Sequence, residues 1–346
     1  MIRSLNQTGE KVRPSLAQAP SAESWQEELR TAIRCPRELC RMLGIPERTP
    51  NHENSPARKF PLLVPRGFVS RMKPGDTSDP LLLQVLPQDE EYIEQPGAER
   101  DAVGDAAATV APGLIKKYQG RALLISSPAC AVHCRYCFRR HFPYEETPKG
   151  FADWRSTFSI IANDKSIREV ILSGGDPLSL VDASLAQQVE ALSTISHLKR
   201  LRIHTRLPIV IPRRVTKELV RLFSYCRLSV VVVVHINHAN ELSEDVREAL
   251  DRLRSAGAIL YNQTVLLRGV NDSAQTLVRL SERLLDCGVT PYYLHKLDHV
   301  TGASHFRTQP GQGESLIEAM REQLPGYAVP QYVEEVPGMD YKKPLA

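Results

Sequence analysis

The stretch Arg121-Ala122-Leu123-Leu124-Ile125, followed within a few residues by Cys130-Ala131-Val132-His133-Cys134-Arg135-Tyr136-Cys137, decides how this chain is read. A short apolar run opens into a loop bearing three thiols at C-x3-C-x2-C spacing. Three thiolates on one loop can face one inorganic cluster. Electron-transfer [4Fe–4S] clusters usually take four Cys ligands, so three would leave one iron open to a substrate or second cofactor. A structural zinc site would need a fourth Cys or His at knuckle spacing. His133 is near, but it lies between two of the cysteines, an awkward place from which to share one ion. Unligated core cysteines are the third reading.

Beyond Arg121, short apolar runs alternate with amphipathic stretches. Strands are expected at 121–126, 169–173, 200–204, 229–236, 258–266 and 291–296. Helices are expected near 151–163, 182–196, 214–224, 241–255 and 273–286. The continuous run Val230–Val234 reads as a strand covered on both faces, hence a parallel sheet. Ligands of such β/α folds gather at the C-terminal strand ends. Upstream, Trp25, Leu29, Ile33, Leu39 and Leu43 recur at helical spacing, with Pro36 dividing them into two helices. Residues 1–22 have no periodicity and read as a mobile tail. Residues 45–115 are rich in proline and charge, and no internal repeat is visible.

At 346 residues the chain is long enough for one large α/β domain or two smaller ones. A net charge of +4 gives no reason to expect a nucleic-acid partner. No signal peptide and no apolar run of spanning length is present, so an intracellular, cytoplasmic protein without membrane contact is expected. Of the seven cysteines, Cys35, Cys40, Cys226 and Cys287 are scattered and read as small core residues.

The Cys130-x3-Cys134-x2-Cys137 motif resembles that of radical S-adenosylmethionine (SAM) enzymes. Its extension Cys134-Arg135-Tyr136-Cys137-Phe138-Arg139-Arg140-His141-Phe142 is similar to the lysine 2,3-aminomutase family. The likeness runs from about Trp25 to Pro344. It is strongest to the branch whose (R)-β-lysine is joined to elongation factor P. What the resemblance implies is an open, partial (β/α)6 barrel at 116–310. An N-terminal helical and loop extension (23–115) would precede it, and a C-terminal helix and tail that binds pyridoxal 5′-phosphate (PLP) would follow at 311–346.

The implied cofactors are a [4Fe–4S] cluster on Cys130, Cys134 and Cys137, SAM on its open iron, and PLP. Ser173-Gly174-Gly175-Asp176 resembles the segment that holds the SAM amino group, and paired glycines permit close backbone approach. Alone, the segment would be only a turn. His235 and Gln263 match strand positions that contact SAM, and Arg206 matches a basic residue facing the ligand cavity. His235 and Gln263, taken singly, are each more often a satisfied core polar group.

In the tail, Glu335-Val336-Pro337-Gly338-Met339-Asp340-Tyr341-Lys342-Lys343 resembles the motif whose lysine forms a Schiff base with PLP, although the family has more glycine there. Register favours Lys342, with Lys343 as the runner-up. Lys117, Tyr118 and Arg121 match a basic–aromatic PLP-contacting segment, in which the family usually has Arg at the position of Lys117. Arg139 matches an arginine that grips the substrate α-carboxylate. Asp298 and Glu335 match two carboxylates facing the lysine side-chain ammonium, the second being Asp in free-lysine enzymes. Ser304–Thr308 also matches, with no role assigned.

The implied reaction begins with SAM cleavage by the reduced cluster. The 5′-deoxyadenosyl radical takes a β-hydrogen from PLP-bound L-lysine, and the amino group moves from C2 to C3. A reductant such as flavodoxin is implied, as are functional links to elongation factor P and its β-lysine ligase, and an oligomer is possible. Glu335, the Arg140–Tyr144 run and a chain ending soon after Lys342 favour the elongation factor P branch. The alternatives are a free-lysine enzyme of metabolism and, more remotely, an iron–sulfur electron carrier or sensor.

Overall fold

The computed structural model describes residues 24–47, 60–93 and 95–346. The expected tail at 1–22 lies outside them. Ten strands form one sheet in chain order. They are β1 (Thr109–Ala111), β2 (Leu114–Ile115), β3 (Arg121–Ser127), β4 (Glu169–Gly174) and β5 (Arg200–Thr205), then β6 (Ser229–His235), β7 (Ile259–Val265), β8 (Thr290–His295), β9 (Gln331–Glu334) and β10 (Lys343–Pro344). Strands β3 to β9 are parallel, and the antiparallel pairs β1–β2–β3 and β9–β10 finish the two edges. The first and last strands do not pair, so the barrel is open.

The six expected strands are all present, within two residues at each end. Strand β9 is a seventh parallel strand. It follows the helix Gln312–Arg321 and pairs with β8 through Tyr293↔Gln331 and His295↔Val333. The valine strand behaves as its composition requires: Val230, Val232, Val233 and Val234 are buried, three of them fully. Each such side chain contributes roughly 1.5–3 kcal/mol by leaving water.

Helices on the outer face complete the core. Alternation along β7 sets the division, since Leu260, Asn262 and Thr264 are buried while Tyr261, Gln263 and Val265 are half-buried on the other, concave face. The helix Glu244–Ser255 lays Val246, Ala249, Leu250 and Leu253 into this core. Ser273 caps the helix Ala274–Asp286 through Thr276 N–H, and Thr216 caps Lys217–Ser224 through Leu219 N–H.

The N-terminal segment packs into the same core: Trp25, Leu39, Leu62, Phe68 and Leu81 join Leu172, Leu201 and Val232 in one cluster. Pro36 begins its second helix, as expected, but Ile33 is not helical. It forms an antiparallel bridge with Val64 instead. Cys40 and Cys287 are buried as expected, while Cys35 is exposed ahead of the helix that Pro36 starts. No helix of the described residues is long and apolar enough to cross a membrane.

Candidate active site

The loop after β3 carries the three cysteines, and the N-terminal layer braces it. His133 N–H donates to Leu63 O (2.9 Å) and Arg135 N–H to Gln84 O (2.9 Å). The His133 ring turns away from the thiols, bonding Pro61 O at 2.7 Å and stacking on Phe60 at 4.9 Å. That orientation removes His133 from any shared zinc site. The Arg135 side chain, fully buried, grips Glu91 at 2.7 and 2.5 Å, and Arg140 reaches the same carboxylate at 2.8 Å. The Ser304–Thr308 segment also has a structural role: Phe306 meets Tyr136 edge-on at 6.1 Å.

Burial, then the Cys134 thiol, pushes the Cys137 thiol up to about 11, and burial, then Cys137, Asp176 and Cys134, raises the Cys130 thiol. The three thiols are therefore near one another. Among the described residues no three His, Cys, Asp or Glu side chains converge as they would on one ion. A cube with iron at separate corners needs thiols spread around it.

Gly174 and Gly175 at the end of β4 are pressed against this loop. A Cβ on Gly174 (φ +123°) would lie 2.6 Å from Ser127 O, and one on Gly175 2.3 Å from Ala129 O. The close approach that the glycine pair permits is thus first to the chain's own backbone. Asp176 is likewise occupied within the protein. It accepts from Thr205 Oγ1 at 2.7 and 2.9 Å and from the N–H groups of Leu178 (2.9 Å), Arg206 (2.7 Å) and Leu207 (3.1 Å). Burial outweighs these bonds and lifts its carboxyl to about 6.

Arg206, buried, sits behind the cysteine loop. Its guanidinium contacts Cys134 Sγ at 2.8 Å, Tyr136 OH at 2.7 Å, Gln84 at 2.6 Å and Glu241 at 2.9 Å.

The concave face gathers the other named residues. His235 is in register with Gln263 and bonds Tyr136 OH at 2.9 Å; burial lowers its ring to about 3, so it is neutral. His204 and His295 are also kept neutral, first by burial and then by nearby cations, Lys342 among them. The tail brings Lys342 onto this face by pairing β10 with β9. Its Nζ ion-pairs closely with Glu335 Oε2, while Glu335 Oε1 accepts from Tyr118 OH at 2.6 Å and faces Lys117 Nζ at 3.5 Å. Lys343 is exposed, so of the two lysines Lys342 faces the site.

Asp298 has a carboxyl raised to about 7 by burial; Lys342 opposes the rise and Glu335 adds to it. The Arg121 guanidinium lies 5.0 Å from the centre of the Tyr118 ring. Arg139, buried, bonds Ser173 Oγ at 3.1 Å and Asp105 Oδ2 at 2.7 Å. Asp105 also pairs with Lys117 at 2.8 Å. Burial would raise the Asp105 carboxyl, but the two cations outweigh it and hold it near 2. Asp105 and Glu91 are site residues that sequence reasoning missed. Asp105 lies in a loop and Glu91 in the short 3-10 helix Asp89–Tyr92, each joined to its partner across tens of residues.

An open parallel barrel with a three-cysteine loop at the strand ends defines a class, and residues 124–280 match the model of the radical SAM superfamily. Whole-chain relatives narrow it. The chain is 45% identical over 327 residues to an L-lysine 2,3-aminomutase of Escherichia coli, covering 94% of this chain and 95% of that protein. It is 43% identical over 321 residues to one from Buchnera aphidicola, covering 92% and 94%. A Clostridium subterminale L-lysine 2,3-aminomutase is 32% identical over 329 residues, 93% of this chain and 77% of that protein. This chain belongs to the L-lysine 2,3-aminomutase family of radical SAM enzymes. It is an isomerase working with a [4Fe–4S] cluster, SAM and PLP.

The residues present fit those groups. Three half-buried thiols with one cationic neighbour suit a cluster, and an amine held by Glu335, whose other oxygen meets Tyr118 and Lys117, suits a phosphorylated aldehyde. Neutral His235 lies beside Gln263 in register on the neighbouring strand.

Proposed function

We propose that the chain converts L-lysine to (R)-β-lysine for attachment to elongation factor P. In this reading Cys130, Cys134 and Cys137 hold the cluster. Ser173, Gly174, Gly175, His235 and Gln263 border SAM, with Asp176 and Arg206 fixing that wall from behind. Lys342 carries PLP, with Lys117, Tyr118 and Arg121 around it. We assign the core chemistry to residues 116–310, the bracing to 23–115 and the PLP lysine to 311–346. The cofactors when bound supply a carbon-centred radical and an electron sink for the migrating nitrogen.

The chain's own residues bind, orient and shield. Arg139 takes the α-carboxylate of lysine at its guanidinium, a charge-assisted pairing. Asp298 takes the ε-ammonium and becomes fully ionised in doing so, because a cation lowers the raised carboxyl. Glu335 serves the same ammonium and also orients Lys342 Nζ through its other contact. The neutral imidazoles of His204 and His295 add no charge to a cavity that must hold a cationic substrate.

One observation carries the reading: the Lys342 amine, ion-paired with Glu335, lies near enough to act electrostatically on Asp298 and His295, on the face where His235 bonds Tyr136 of the cysteine loop. The elongation factor P branch is supported by Glu335 and by the Arg140–Tyr144 run. The test is chiral analysis of product from L-lysine under anaerobic, reducing conditions, with and without elongation factor P and its ligase. Predominantly (R)-β-lysine that the ligase transfers is expected. The S enantiomer, or a product the ligase refuses, contradicts the assignment.

A further inference from the structure

Asp105 lies between two cations that the proposed function assigns to different ligands. Its Oδ2 accepts from Arg139 Nε at 2.7 Å, and its Oδ1 lies 2.8 Å from Lys117 Nζ. It is 1% exposed. The loop that carries it is built for this placement. Asp101 accepts from Asp105 N–H at 2.9 Å and from Ala106 N–H at 2.8 Å, and Thr109 Oγ1 donates to Asp105 O at 2.8 Å. One residue earlier, Gly104 (φ +68°) packs on Pro337 of the tail that bears Lys342, where a Cβ would come within 3.1 Å. Val103 O accepts from Lys117 Nζ at 2.7 Å. One strap thus touches Arg139, Lys117 and the tail together.

We infer that Asp105 is a positioning residue, holding Arg139 by its Nε edge so that the guanidinium end is presented to the substrate's α-carboxylate. The geometry divides the guanidinium. Asp105 takes Nε, Ser173 takes one N–H of Nη1, and Nη2 has no hydrogen-bond partner among the described residues. A carboxylate can approach the Nη1–Nη2 end without displacing Asp105. An arginine is confined to one fork geometry more firmly when one edge is already bonded. The Asp105 charge also separates Arg139 from Lys117, two cations that would otherwise repel across a buried gap. The inference rests on the reading of Arg139 as the α-carboxylate ligand.

The test compares L-lysine with L-lysinamide, which keeps both amines and lacks the carboxylate. Binding to the cluster-reconstituted, PLP-loaded protein is read from visible absorbance, anaerobically and without SAM. Wild-type protein should prefer lysine. In Asp105→Asn the preference should fall roughly ten- to a hundredfold, the range set by one charge-assisted hydrogen bond. Arg139→Gln should remove it by a similar factor, and the double variant should lose little more than Arg139→Gln alone.

Asp105→Glu keeps the charge but lengthens the arm, so it should recover part of the preference; it is also the variant to use should Asp105→Asn fold poorly. Lysinamide affinity serves as the internal control and should hold in both Asp105 variants. Full preference in Asp105→Asn beside its loss in Arg139→Gln overturns the positioning role alone. Full preference in Arg139→Gln overturns the carboxylate reading and this inference with it. Equal loss of lysine and lysinamide binding in Asp105→Asn shows a merely structural role and also overturns it.

Discussion

Replacing Asp298 by Asn tests the substrate pocket through a pH signature as well as an affinity. The Asp298 carboxyl stands near 7 before substrate binds because burial outweighs the help of Lys342. A lysine ε-ammonium beside it would be worth about 4 kcal/mol at 4 Å with an effective dielectric constant near 20. Desolvation offsets part of this, and the measured range for hydrogen bonds to charged groups is roughly 1.5–3 kcal/mol. Asp298→Asn should therefore weaken L-lysine binding roughly 10- to 100-fold. L-norleucine, which lacks the ε-ammonium, should lose little.

The pH dependence follows in sign. As pH falls through 7 the free carboxyl takes a proton and loses its charge, while the lysine-bound carboxyl resists protonation. Wild-type affinity for lysine should then drop as pH falls below about 7, and Asp298→Asn should lack that drop. Steps common to both proteins, such as deprotonation of the substrate α-amine, cancel in the comparison. The assay is an anaerobic absorbance titration of PLP-loaded protein between pH 6 and 8. A variant that keeps the wild-type slope, or loses lysine and norleucine equally, refutes the ammonium role. The same carboxyl makes a stability prediction for cofactor-free protein. A folded-state value above the unfolded one means its contribution is present at low pH and lost as pH rises through about 7. Asp298→Asn should therefore melt higher than wild type at pH 8, and a lower Tm there would contradict the burial argument.

Two further variants probe the wall behind the cluster. Gly175→Ala places a Cβ within 2.3 Å of Ala129 O, so the cysteine loop must shift; iron bound per chain after reconstitution should fall, and a full complement would show that the loop yields freely. Arg206→Leu leaves Glu241 buried without its guanidinium, which typically costs about 3–5 kcal/mol. A lowered Tm with reduced iron retention is expected, and unchanged iron retention would remove Arg206 from the support of Cys134.

Much of the barrel could be read directly because its strands are covered on both faces. Val230–Val234 has no polar interruption, and each strand ends at a polar or glycine-bearing loop. Strand β9 was not legible, since four residues with two buried side chains, Tyr332 and Val333, make no pattern until β8 supplies the partner. Ile33 continued a helical spacing but is drawn into a bridge by Val64, a tertiary contact that spacing cannot foretell. At the site, residue types were legible and their partners were not. Asp176 and Arg206 read as ligand contacts, yet their side-chain bonds are to the protein's own groups. Asp105 carried no signal because an acid in a short alanine-rich loop gains meaning only when Arg139 and Lys117 arrive from elsewhere in the chain.

The central claim is that the amine of Lys342 lies on the face that the cysteine loop adjoins. Borohydride reduction of the PLP-loaded protein, followed by peptide mapping, tests it most directly. Stoichiometric tagging of Lys342 is predicted, and a tag on Lys343 or on any lysine outside the tail would contradict it.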